Sequence, residues 1–199
     1  QLENSNLLGP RLLTSGPILN EKGGRNASVL HTLVDGPDQA RAAVRRQFER
    51  GYGSVKVYSN LSLASYAAIL EEAKALNMPV FGHPVEGKPP PDQPMARAPF
   101  DLLLDDGLVT LEHMESIVWH ALDQDKNEDR ARTLARDLAA AGVVVDATLL
   151  VHHNLTELTR TRGRHIERPE MALYNPLALL LGRAEFNFWA NYEGDHETQ

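Results

Sequence analysis

The chain has 199 residues, 42% of them hydrophobic and 24% charged, and a formal net charge of -7. That is enough apolar material for one core, and the scattered Lys and Arg argue against nucleic acid as a partner. It contains no cysteine, which excludes disulfides, thiolate metal sites and a cysteine nucleophile, so any metal would rest on His, carboxylate or modified Lys.

No apolar run reaches the roughly 20 residues that a membrane helix needs. The opening Gln1-Leu2-Glu3-Asn4 has no signal-peptide pattern. The expectation is a soluble protein without a membrane partner, in a compartment the sequence leaves open.

In chain order, Pro10 to Asn20 holds the short apolar runs Leu12-Leu13-Thr14 and Ile18-Leu19. Asp38 to Arg50 has helical periodicity, with Ala40, Ala43, Val44 and Phe48 on one face, and Gly51 is a natural stop. Ser54 to Tyr58 reads as a β-branched strand. Ser62 suits the N-cap of a helix from Leu63 to Leu76, with Tyr66, Ile69, Leu70 and Ala73 in its apolar stripe.

Pro79 to His83 is the next strand, running into a loop with Pro89-Pro90-Pro91 extended and exposed. Phe100 to Leu104 predicts a short helix ending at Gly107, and Leu108 to His113 a strand. Helices follow at Ile117 to Leu122 and Glu128 to Ala141, then a strand in Val143 to Leu149. From Asn154 to Gln199 the pattern is mostly helical, with an Arg-rich stretch at Arg160 to Arg168, and this part is expected to pack across the sheet.

Strands alternating with helices, and strands that are apolar nearly throughout, mean an α/β fold with a parallel sheet covered by helices. A doubly wound sheet and a (β/α)8 barrel both satisfy the pattern.

Three strand ends carry a candidate ligand at matching positions: Lys56, His83 and His113. Parallel neighbours bring their C-terminal ends to one rim, where such sheets hold their sites. Lys56 sits between Val55 and Val57, and a buried ammonium there must be compensated. One solution is a carboxylate partner in a structural ion pair; another is reaction of the neutral amine with carbon dioxide to give an anionic carbamate. His83 and His113 supply imidazole nitrogens suited to zinc or a similar divalent ion.

Val34-Asp35-Gly36-Pro37-Asp38-Gln39-Ala40-Arg41, then Gly51-Tyr52-Gly53-Ser54-Val55-Lys56-Val57-Tyr58, Gly82-His83 and Leu111-Glu112-His113 together resemble the imidazolonepropionase-like and prolidase-like branch of the amidohydrolases. The resemblance runs from about Leu12 to Leu150. It implies a (β/α)8 barrel, a carboxylated Lys56 on the fourth strand bridging two metal ions, zinc foremost, and His83 and His113 on the fifth and sixth strands binding the more exposed ion. It also implies hydrolysis of an amide, peptide or cyclic amide bond in a small molecule or peptide through a metal-bound hydroxide.

The family's His-x-His pair on the first strand and its proton-shuttling Asp on the eighth are not seen. His31 has no such partner, and Asp146 falls on what should be the seventh strand. By this count residues 1–199 form one partial barrel domain of about strands three to seven, a fragment expected to be inactive alone, and a homo-oligomer stays open.

Tyr58, on the same strand face as Lys56, is a candidate for orienting substrate. His152 and His153, taken as extended, would point to opposite faces, so one at most would reach the rim. Glu112 is expected to point away from His113, between sheet and helix. The alternative to an enzyme is a non-catalytic metal-binding or scaffold protein, with Lys88 to Arg97 as part of a partner surface.

Overall fold

A computed structural model of the chain describes residues 13–23, 30–86, 98–104, 107–114, 116–123 and 125–192. Leu12, the Pro89-Pro90-Pro91 run and the Lys88 to Arg97 surface lie outside these residues. The chain divides into two compact units, Gln1–Ala147 and Thr148–Gln199.

The first unit is a six-stranded sheet, parallel throughout, in the order β2-β1-β3-β4-β5-β6. Its strands are β1 Leu19–Glu21, β2 Thr32–Val34, β3 Val55–Val57, β4 Val80–Gly82, β5 Leu108–Glu112 and β6 Val144–Asp146. The expected α/β class and parallel sheet hold, and the sheet is open, not closed into a ring. β2 is an addition: three residues between Leu30 and Asp35 give too short an apolar run to read as a strand.

Helices α1 Pro37–Glu49 and α2 Leu63–Ala75 follow β2 and β3. Pro37 at the start of α1 supplies a φ suited to the first turn, and Gly51, at φ 82°, occupies the left-handed conformation that ends it. Ser62 caps α2 as expected, accepting from the Ser65 N–H at 3.2 Å. The buried Glu21 reinforces that cap, accepting from the Ser62 N–H at 3.0 Å and the Ser62 hydroxyl at 3.2 Å.

The core lies between the sheet and these two helices. Val55 and Val57 are fully buried, as are Ile69 and Ala73 of α2 and Ala40 and Val44 of α1. Each fully buried valine takes roughly 1.5–3 kcal/mol of apolar surface out of water. The expected α1 stripe differs at one position: Phe48 is 48% exposed, and Gln47 turns inward, donating to the Pro17 carbonyl at 2.7 Å. A side-chain amide satisfies a loop carbonyl that a phenyl ring could not.

Downstream come a 3-10 turn at Phe100–Leu103, a single π turn at Ile117–Ala121 and α3 Glu128–Ala140, capped by Asn127. β6 stops at Asp146, short of the expected Leu149. Thr148 adopts the left-handed φ of 47°, and a helix begins at once.

The second unit holds α4 Leu149–Arg160, 3-10 turns at Arg164–Glu167 and Pro169–Leu173, α5 Pro176–Gly182 and a last turn at Trp189–Asn191. Gly163 takes φ 85° against Ala184 and Ala190, and Phe188, Trp189 and Tyr192 pack as a ring cluster at 5.3–5.9 Å. No described helix is long and apolar enough to cross a membrane.

Candidate functional site

Alternation along β3 decides where Lys56 points. Val55 and Val57 face the helices with no exposure, so Lys56 stands on the opposite, open face. In register it lies beside Phe81 of β4, and Phe81 lies beside Thr110 of β5. Lys56 reaches across β4 to form an ion pair with Glu112 at the end of β5, both side chains being mostly buried.

Glu112 therefore shares the face of Lys56, which corrects the expectation that it points between sheet and helix. Thr110 and Glu112 have the same parity, and their partners in β6 are Val144 and Asp146. The pair removes the cost of an isolated buried ammonium.

His83 follows β4 and is 6% exposed. Its imidazole is pushed down to about 3, first by burial and then by the neighbouring charges of His113, Lys56 and His31. It is thus neutral near pH 7, with a lone pair free to ligate or to accept a proton.

His113 reaches the same place by a different route. Leu111 is buried with the core residues of the helical side, so strict alternation would send His113 there too. It adopts φ 70° instead, uncommon outside glycine, and its ring packs edge-on against His83 with centroids 4.5 Å apart. The turn is held by the His113 N–H donating to the Asp146 carbonyl at 2.8 Å.

Tyr58 completes the arrangement, its ring 4.3 Å from that of His83 and 5.0 Å from that of His31. His31, Tyr58, His83 and His113 thus form a continuous row of rings. His31 was not a candidate from the sequence; only its residue type hinted at a role, because the strand it introduces was not predicted. Burial lowers its affinity for protons, and its Nδ1 lies 3.4 Å from the Asn20 amide.

His152 and His153 lie in the second unit, on α4, not on an extended segment. Adjacent residues of a helix are about 100° apart, not opposite. The His153 ring lies 6.3 Å from that of His165.

As a donor set for a divalent ion, the rim offers two adjoining imidazoles, one of them buried and neutral, and an amine within the same charge network. This fits a two-histidine contribution to a metal site. Among the described residues no group of three His, Cys, Asp or Glu side chains could hold a metal.

The parallel sheet with helices on its covered side has counterparts among solved structures. A solved Xaa-Pro dipeptidase with methionine in its active site matches 80% of this chain at a TM-score of 0.56 and 16% identity, over 40% of its own length. The bottromycin amidohydrolase matches 86% of the chain, with a TM-score of 0.55 and 21% identity, over 36% of its length. A further amidohydrolase matches 80%, with a TM-score of 0.51 and 22% identity, over 41% of its length.

These likenesses establish the fold. The chain spans about 40% of the length of the Xaa-Pro dipeptidase structure. No protein-family profile and no curated protein sequence matches the chain.

Proposed function

We propose that this chain is the rim-bearing part of a metal-dependent hydrolase of amide, peptide or cyclic amide C–N bonds. The observation that carries the reading is the meeting of Lys56, His83 and His113 at one rim of a fold shared with a dipeptidase and two amidohydrolases. Small amides and dipeptides, Xaa-Pro dipeptides first, are the substrate class to try.

When bound there, a divalent ion polarises the scissile carbonyl and makes water more acidic. The chain's residues do the rest. His83 and His113 would present ring nitrogens to the ion, the buried His83 in its neutral form, Tyr58 would orient the substrate beside them, and Lys56, once carboxylated, would supply an anionic ligand. In that step the ammonium would first give up one proton; the neutral amine nitrogen would then form a bond to the carbon of carbon dioxide as one C=O π bond breaks, and release a second proton, so that across both losses the side chain exchanges a positive charge for a negative one. Lys56 must first leave Glu112.

That ion pair favours a second reading, in which Lys56 is structural and the chain binds metal or a partner without catalysis. The two separate cleanly in solution. With [13C]bicarbonate and Zn2+, the hydrolase reading expects a carbamate carbon resonance in the 199-residue chain that is missing in Lys56→Met. It also expects the whole protein carrying this chain to cleave Xaa-Pro dipeptides, with loss of cleavage on chelation and on Lys56→Met. Cleavage indifferent to both would refute the metal-dependent mechanism, and stoichiometric metal without any turnover would favour the second reading.

A further inference from the structure

The segments that leave β4 and β5 meet at one carboxylate. Glu86 stands three residues after His83, is 9% exposed, and its Oε1 accepts from the Trp119 indole N–H at 2.9 Å and from the Ser116 hydroxyl at 3.3 Å. Ser116 is fully buried and stands three residues after His113, while Trp119 belongs to the π turn Ile117–Ala121. The carboxylate therefore ties the exit of one histidine-bearing strand to the exit of the other.

Its main chain extends the tie. The Glu86 N–H donates to the Ser59 carbonyl, just beyond β3, at 2.9 Å, and the Glu86 carbonyl accepts from the Ala98 N–H at 2.9 Å. His120, also in the π turn, lies with Nε2 2.6 Å from the Ala98 carbonyl.

A carboxylate this deeply buried is costly unless its oxygens are hydrogen-bonded. Here the indole donor comes from a π turn, a form that recurs at functional sites, and the hydroxyl donor from the residue at its N-cap. Neither donor is needed to end β5, since the His113 N–H already bonds to β6. Their shared target is what sets the turn's direction as it leaves His113.

We propose that Glu86 is a positioning residue for the His83–His113 pair, fixing the separation of the two rings by holding Ser116 and Trp119. The inference deepens the metal-site reading and rests on it only for the affinity measurement, because the ring geometry can be measured without an ion.

The experiment compares wild type, Glu86→Gln and Glu86→Ala in the 199-residue chain. The nuclear Overhauser effect between the His83 and His113 ring protons reports their contact, and Co2+ titration followed by visible absorption reports ligation. In Glu86→Ala the Overhauser effect falls several-fold while the amide spectrum of α1 and α2 is kept, and Co2+ affinity drops by about 10-fold or more. Glu86→Gln restores most of both, since its amide oxygen still accepts from the indole.

Equal Overhauser effects in wild type and Glu86→Ala would overturn the proposal, whatever the metal data show. If the wild type takes up no Co2+, the metal reading fails and the ring contact alone decides the role of Glu86. If Glu86→Ala does not fold, the double variant Ser116→Ala with Trp119→Phe removes the donors instead. An unchanged ring contact there would overturn the proposal as well.

Discussion

Two regions of the same parallel sheet have opposite surroundings. Around β3 and β4 every second residue is sealed under α1 and α2, with Val55 and Val57 fully buried and Val80 at 4% exposure, whereas all of β6 is exposed, Val144 at 59%. Strand sequence is nearly the same in the two places. What differs is the helical cover, so burial, not β propensity, determines where a substitution is felt.

The largest expected effect is at the close approach of β4 to β3. Gly82 has φ 140°, and an added Cβ would lie 2.2 Å from the Val57 carbonyl oxygen, a backbone atom that cannot step aside. Gly82→Ala is expected to cost more than about 4 kcal/mol and to abolish cooperative unfolding of the first unit, as followed by circular dichroism. Beneath the same strands, Ile69→Ala should cost about 2–5 kcal/mol in denaturant titration. Val144→Ala on β6 should stay within about 0.5 kcal/mol; a comparable loss at both positions would break the contrast.

Acid should act at the rim. His83 takes up its proton near 3 in the folded chain and near 6.5 when unfolded, so the unfolded state binds more protons between these values. The neutral buried form contributes its full stability above about pH 6.5 and loses it as pH falls toward 3, for at most about 5 kcal/mol at one unit per 1.4 kcal/mol. Denaturant midpoints at about pH 7 and about pH 4.5 should differ in that direction, and His83→Phe should flatten the slope. The smallest effect is at the α2 cap: Ser62→Ala should cost about 1 kcal/mol, read as a lower thermal midpoint.

Much of the covered half was legible because its signals are local. The ends of α1 and α2 followed from Gly51, Ser62 and the spacing of apolar residues, and the strands around Lys56, His83 and Leu111 from short apolar runs alternating with helical patterns. What escaped depends on contacts between distant residues. Gln47 is buried in place of Phe48 because a carbonyl thirty positions away needs a donor. The ion pair of Glu112 with Lys56 depends on which strands are neighbours.

The rim shows the same division. The three ligand candidates could be named from strand ends. The left-handed turn that brings His113 to His83 could not, because a single φ leaves no mark in composition. Thr148 hides its turn in the same way: the apolar run alone carries β6 on to Leu149 and makes His152-His153 look extended, whereas the left-handed φ at Thr148 starts α4 there.

The most direct test of the rim as a divalent-ion site is calorimetric titration of the 199-residue chain with Zn2+ in bicarbonate buffer, alongside His83→Ala, His113→Ala and Lys56→Met. Saturable binding by wild type is expected, with its loss in either histidine variant and at least about 10-fold weaker binding in Lys56→Met. Wild type and both histidine variants binding Zn2+ alike would contradict that expectation.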